Sequence, residues 1–360
     1  MHSFQGQQSM SDVLSSQKLI GTAISTFERA PIPDVLTRHA IKELCTRTAR
    51  ALAHAPEDAT QAFARAMAQM PIAVHTDAAN AQHYEVPQEF FALALGPQRK
   101  YSCCYYDGPA VTLEQAEEAA LAETARRAGL ADGQEILELG CGWGSLSVWM
   151  ARNFRQARIT AVSNSHSQRT YIEARARALG LANLTVITAD ANTFSPPNGA
   201  HTFDRVVSIE MFEHMSNWVA LLTRVRQWLK PQGRAFIHIF THRAVPYRFN
   251  HEDASDWIGK YFFTGGIMPS ESLMGSFPHL FTVEQQWRWS GEHYERTANH
   301  WLANFDARSD DVLDLFEQVY GADAKVWHRR WRLFFLATAG LFGHAGGTEW
   351  GVSHYLLRPA

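Results

Sequence analysis

Residues 136–144, Ile-Leu-Glu-Leu-Gly-Cys-Gly-Trp-Gly, pass from a short apolar run straight into three alternating glycines. An apolar run of strand length followed by glycines reads as a strand buried in a sheet and the turn that leaves it. From Ser145 to Phe154 the spacing becomes helical. A strand–turn–helix unit of this kind presents backbone amides at a helix N-terminus. Gly140, Gly142 and Gly144 have no Cβ to keep a ligand away from them. The spacing is not G-x-G-x-x-G, so the dinucleotide fingerprint does not apply. An acid, Glu138, lies inside the strand two residues before the first glycine.

Strand and helix patterns alternate around this unit. Apolar strands are predicted at 135–139, 157–162, 184–188, 203–208 and 233–239, with helices at 168–179 and 218–229 among them. The alternation implies an α/β chain with a doubly wound parallel sheet, helices on both faces and ligands at the carboxyl ends of the strands. A helix over 112–129 is bounded by Thr112 as N-cap and Gly129 as stop. Looser helical spacing at 11–23, 33–53 and 57–70 makes 1–81 a helical N-terminal region, followed by a cap and core over 82–240. After Thr241 the rhythm breaks. A strand-like 281–289 and helices over 297–320 and 325–342 are read as parts of a lid, 241–346, inserted before a last core strand in 347–360.

The balance of 46% hydrophobic and 19% charged residues in a 360-residue chain is enough to fill a core. A net charge of −3 with no basic stripe argues against a nucleic-acid partner. No apolar run reaches spanning length and no leader pattern opens the chain, so a cytoplasmic protein without stable membrane insertion is expected. Cys45, Cys103, Cys104 and Cys141 show neither metal-ligand spacing nor a disulfide framework, and no metal is expected. Nine of the eleven Trp residues lie between Trp218 and Trp350. Core packing is the default reading of that crowding, and an aromatic pocket wall the alternative.

Glu210, Glu213 and His214 form the sharpest polar cluster, just past the predicted fourth strand. An amine reacts as a nucleophile only through a neutral lone pair. Carboxylates can hold the substrate ammonium and an imidazole can take its proton. Capping of the helix that follows is the competing structural role.

The acid-plus-glycine turn resembles motif I of class I S-adenosylmethionine (SAM) methyltransferases. The resemblance implies that Glu138 meets the methionine ammonium or nearby water, while Gly140, Gly142 and Gly144 clear space for the sulfonium and ribose. It also implies that Asn164 and Gln168 bind ribose hydroxyls in place of the usual acid, and that Asp190 meets the adenine amine. A turn or N-cap is the alternative for Asp190.

From about residue 82 to its end the chain resembles the cyclopropane-fatty-acid synthase superfamily, and within it the coclaurine N-methyltransferase-like branch. The matching pieces are His83-Tyr84-Glu85-Val86-Pro87, Lys100-Tyr101-Ser102-Cys103, Leu139 to Ser147, Ser208 to Met215, Tyr261 to Ser270 and Glu349-Trp350. The resemblance implies a class I methyltransferase fold, a Rossmann-like doubly wound sheet with a helical cap and a lid. It implies SAM contacts from Tyr101 and Ser102, and an acid–acid–histidine set in Glu210, Glu213 and His214 acting on an isoquinoline-like amine.

The fatty-acid branch instead uses bicarbonate, and its ligands map onto Cys103, Glu213, His238 and Tyr294. That leaves a lipid acyl substrate as the second reading, although the branch usually has glycine where Glu210 stands. Core packing is the plain alternative for Cys103, His238 and Tyr294. A silent SAM-binding scaffold is the third reading, and a homodimer is left open.

Overall fold

The computed structural model describes residues 26, 28, 30–74, 86–197, 199–253 and 256–360. The predicted helix over 11–23 and the motif residues His83, Tyr84 and Glu85 lie outside them. A seven-stranded sheet forms the centre, its strands running in the spatial order 184–188, 158–163, 135–139, 203–209, 229–242, 350–359 and 281–290, and β6 (Tyr247–Arg248) and β7 (Ile267–Met268) pair in a separate two-stranded sheet. The parallel part of the larger sheet comprises β1 (Glu135–Leu139), β2 (Arg158–Ser163), β3 (Leu184–Thr188), β4 (Phe203–Ile209) and β5 (Leu229–His242). β9 (Trp350–Pro359) pairs antiparallel with β5, and β8 (Phe281–Ser290) antiparallel with β9. The five strands expected in a parallel sheet do pair parallel, and the two antiparallel strands make the whole sheet mixed. Residues 281–290 lie in the predicted lid range, yet they form the edge strand. Only one side of an edge strand is paired, and β8 accordingly keeps a partly exposed pattern that dilutes its strand signal.

Alternate side chains of the central strands feed opposite faces, as the period of two requires. Leu137, Val206, Ala235 and Ile237 join one apolar cluster with Trp218, Leu222 and Val225 of the helix Trp218–Trp228. Ile136, Val207 and Phe236 join another with Leu121 and Ala125 of the helix Leu113–Ala128. We name the latter helix α1. It starts on a full capping box between Thr112 and Gln115 and ends on Gly129 at φ 61°.

A third cluster is aromatic. Phe90, Phe91, Trp257, Phe262, Trp301, Trp331 and Phe334 pack there with Trp289 and Trp350 at the sheet edge. Most of the C-terminal Trp residues thus serve packing. The predicted 297–320 helix is two helices, Gly291–Ala307 (α2) and Ser309–Tyr320, because Arg308 leaves helical geometry at φ −123°. Toward the N-terminus, helices Asp34–Leu52 and Ala59–Met67 pack onto this body. The first is tied by Arg332 to Asp34 at 2.6 Å.

Candidate active site

A cavity opens at the carboxyl ends of β1 to β4. At β1 the glycine turn folds back so that Gly140 N and Cys141 N both donate to Val162 O at 3.0 Å. Gly140 has φ 75°, and a Cβ there would come within 2.6 Å of Met211. Gly142, at φ 52°, faces open space, a cradle that any side chain would begin to fill. Gly144 stands at the N-cap of the helix Ser145–Asn153. Glu138 is buried on the cavity wall, with Ser147 Oγ donating to its Oε2. Burial pushes its carboxyl up to about 8, against the pull of the Ser147 bond.

Beyond β2, Ser163 Oγ donates to Gln168 Oε1 at 2.6 Å, and Ser165 caps the helix that carries Gln168. Asn164, Gln168 and Asp190 all line the cavity. Asp190 also makes the turn: its Oδ1 accepts from Asn192 N at 2.7 Å and Asn192 Nδ2 at 3.0 Å. Asn192 in turn fastens the N-terminal segment, taking Ala73 N on its Oδ1 at 3.0 Å, and Ala73 and Val74 complete the wall.

Tyr101 and Ser102 line the cavity too. Tyr101 Oη and Ser145 Oγ are buried hydroxyls without a hydrogen-bond partner among the described residues. Two orphaned hydroxyls, an open glycine cradle and a buried carboxyl that a cation would charge are what a cationic, polar cofactor such as SAM requires of its wall. Ser145 and Ser147 join the site without any role expected for them from the sequence. Their signal was their place, first and third in the helix after the glycine turn.

Glu210 lies at the end of β4 with φ 48°, a left-handed conformation uncommon for a residue with a Cβ. Its carboxylate collects three donors from three other elements. Cys103 N donates to Oε1 at 2.9 Å, His238 Nε2 lies 3.2 Å from the same oxygen, and Tyr294 Oη donates to Oε2 at 2.7 Å. Burial raises the Glu210 carboxyl, while Lys100 and two of these bonds oppose the rise. Lys100, itself buried, donates to Ser102 Oγ and Cys103 O, both at 2.6 Å. Cys103 therefore serves through its backbone. Its thiol is fully buried and pushed well up by that burial.

His238 is fully buried, with a neutral ring whose Nδ1 has no partner among the described residues. His214 lies on the cavity wall, its ring stacked on Phe263 at 4.9 Å and 10°. Glu213 is fully buried behind that wall rather than in it. Its Oε1 accepts from Phe240 N at 2.7 Å, and its Oε2 has no partner among the described residues. Burial and the nearby Glu210 hold the Glu213 carboxyl well above its ordinary value. With the Cys103 N–H and the Tyr294 hydroxyl on Glu210 and one donor on Glu213, a negative charge is better satisfied at Glu210 than at Glu213.

Sheet order, glycine turn and cavity define a class I SAM-dependent methyltransferase. A family profile described as mycolic acid cyclopropane synthetase matches residues 74–345. The chain is 36% identical over 295 residues to the (S)-coclaurine N-methyltransferase of Thalictrum flavum subsp. glaucum, covering 81% of each chain. It superposes on the crystal structure of coclaurine N-methyltransferase bound to N-methylheliamine and SAH with a TM-score of 0.87. That match has 32% identity and covers 96% of this chain and 99% of that one. The cyclopropane synthase MmaA2 from Mycobacterium tuberculosis shares the fold at TM-score 0.65 and 21% identity, covering 80% of this chain and 99% of that one. The chain belongs to the mycolic acid cyclopropane synthetase family.

Proposed function

We propose that this methyltransferase carries the methyl group of SAM to the aliphatic ring nitrogen of a small amine of the tetrahydroisoquinoline type. The observation that carries the reading is the seat of Glu210. Its carboxylate takes the Cys103 N–H, the His238 imidazole and the Tyr294 hydroxyl. Cys103, His238 and Tyr294 are three of the four residues that the fatty-acid branch would use for bicarbonate. A side-chain anion already satisfies them, so the chain needs no bicarbonate. The N-methyltransferase relatives support the same choice, and Phe240, Phe263 and Phe334 give the cavity an aromatic lining.

SAM supplies, when bound, a methyl group activated on a sulfonium. Tyr101, Ser102, Glu138, the glycine turn, Asn164, Gln168 and Asp190 would hold it. The protein's own work is to bring in the amine and free its lone pair. Glu210 supplies negative charge inside a low-dielectric wall, where it attracts an ammonium strongly. His214, oriented by its stack on Phe263, takes the proton from the nitrogen. Glu213 sits behind the wall, where it takes the Phe240 N–H of β5. Alignment of nitrogen and methyl then decides the rate.

The test is a mass-spectrometric screen of purified protein with SAM against isoquinoline-type amines, simple amines and unsaturated phospholipid. An N-methylated isoquinoline product, with phospholipid unchanged and turnover indifferent to bicarbonate depletion, is expected. Methylene addition to acyl chains, or loss of turnover without bicarbonate, overturns the proposal.

A further inference from the structure

Behind Glu210 lies a buried polar column that the chemistry above does not use. Arg127 of α1 places its NH1 2.8 Å from His354 Nδ1 on β9. A guanidinium only donates, so His354 Nδ1 accepts and the ring carries its hydrogen on Nε2. His354 is the register partner of His238 on β5, and the two rings stack at 4.4 Å and 28°. His238 in turn reaches Glu210 Oε1 through Nε2. Both imidazoles are completely buried. His238 Nδ1 and His354 Nε2, one an acceptor and one a donor, have no partner among the described residues. Arg127 is anchored at its other side by Glu123 at 2.6 Å and lies over the rings of Trp287 and Trp289 at 5.1 and 5.6 Å. This is an elaborate seat for an arginine with no contact to the cavity.

We propose that Arg127 and His354 are positioning residues for Glu210. The guanidinium, bonded to His354 and stacked through that ring onto His238, keeps His238 a neutral Nε2–H donor. The negative charge of Glu210 thereby stays available to a substrate cation. The physical alternative is a buried imidazolium–carboxylate pair between His238 and Glu210, which is closed on itself and attracts no ammonium. A fixed positive charge two rings away disfavours that alternative. Lys100 acts in the same sense on His238, and burial holds Glu213, behind the wall, and Tyr101, Cys103 and Tyr294 in their protonated, uncharged forms. The consequence for turnover rests on the amine reading above, whereas the charge state of His238 does not.

The experiment is ¹⁵N NMR of histidine-labelled full-length protein without substrate, for wild type, Arg127→Met, Arg127→Lys and His354→Phe, across pH 5 to 9. Wild type and Arg127→Lys are expected to show His238 as a neutral Nε2–H ring throughout. In Arg127→Met and His354→Phe, His238 gains a proton within the range as pH falls. In Arg127→Met, kcat drops on the order of tenfold at pH 7 and its acid limb moves to higher pH, with SAM affinity unchanged. A His238 that keeps the same tautomer and charge in Arg127→Met and His354→Phe overturns the proposal. Loss of amine turnover in the wild type would instead remove the functional reading and leave the NMR result standing. If Arg127→Met does not fold, His354→Phe, which retains an aromatic ring in the stack, decides the question.

Discussion

Glu138 and Glu210 are both buried carboxyls on the wall of one cavity, and they are held in opposite ways. Glu138 receives a single donor, Ser147, and burial pushes its carboxyl up to about 8. Glu210 receives three donors and has a buried lysine nearby, so its negative charge is stabilised before any ligand arrives. The number of donors decides the difference, since burial acts on both. On the proposed reading, Glu138 is charged when a cation binds beside it, whereas Glu210 already has the donors that a negative charge needs. A methyltransferase that brings a sulfonium and an ammonium to one cavity has use for both arrangements.

The comparison is broken most directly at Glu210. Glu210→Gln keeps the shape and removes the charge. Turnover with an amine should fall by about 10²–10³-fold, as for loss of a dominant electrostatic group, with SAM affinity within about threefold. Steady-state kinetics beside calorimetry will separate the two. A large loss of SAM affinity would mean that Glu210 belongs to the cofactor seat.

Glu138→Gln should show the reverse pattern. SAM binding weakens by roughly 10–100-fold, the range for a hydrogen bond to a charged group, while kcat at saturation changes little. The pH dependence has a definite sign. Below about 8 Glu138 is protonated in the free protein, so binding a cation beside it expels a proton. Affinity should rise from pH 6 to 8 and then level off. Calorimetry at pH 7 in two buffers of different ionisation enthalpy should report proton release that vanishes in the variant. The same raised value makes the free fold lose stability as pH climbs from the ordinary carboxyl range through about 8.

The glycine turn sharpens the same end of the cavity. A Cβ at Gly142 meets nothing within 4 Å, yet φ is 52°. Gly142→Ala should therefore cost about 1 kcal/mol of stability through the left-handed backbone, read by thermal melts. It should weaken SAM by a few-fold, on the order of 1 kcal/mol for crowding a well-packed contact. An unchanged affinity would detach the open cradle from the cofactor.

The two ends also differ in how far the sequence reveals them. Glu138 and the glycine turn are contiguous, so a strand, a turn and a helix start could be read together. The strands at 135–139 and 184–188 and the Thr112 cap came out with their observed bounds. The Glu210 seat draws on residues 103, 210, 238 and 294, which four separate elements bring together. No local pattern reports such convergence, and only resemblance grouped three of the four. Spacing also placed Glu213 beside Glu210 without showing that Glu210, at the end of β4, meets the cavity while the short helix Phe212–His214 turns Glu213 to Phe240 N. The edge strand at 281–290 was legible as a strand, but not as part of the sheet, because its partner β9 follows sixty residues later and its outer face is wet.

Glu213→Gln carries the smallest expected effect and tests the assignment of charge within the acid pair. Glu213 is fully buried, has one donor from Phe240 N, and is held well above its ordinary value by burial and by Glu210. A neutral acid exchanged for a neutral amide keeps the acceptor for Phe240 and adds no charge. Turnover should stay within about threefold, since an exchange that leaves the hydrogen bond in place costs little. The acid limb of the pH–rate profile should stay in place, because Glu213 is already neutral where Glu210 titrates. A loss as large as that in Glu210→Gln would mean that Glu213 shares the anion, and that the two carboxyls act as one site with one proton between them.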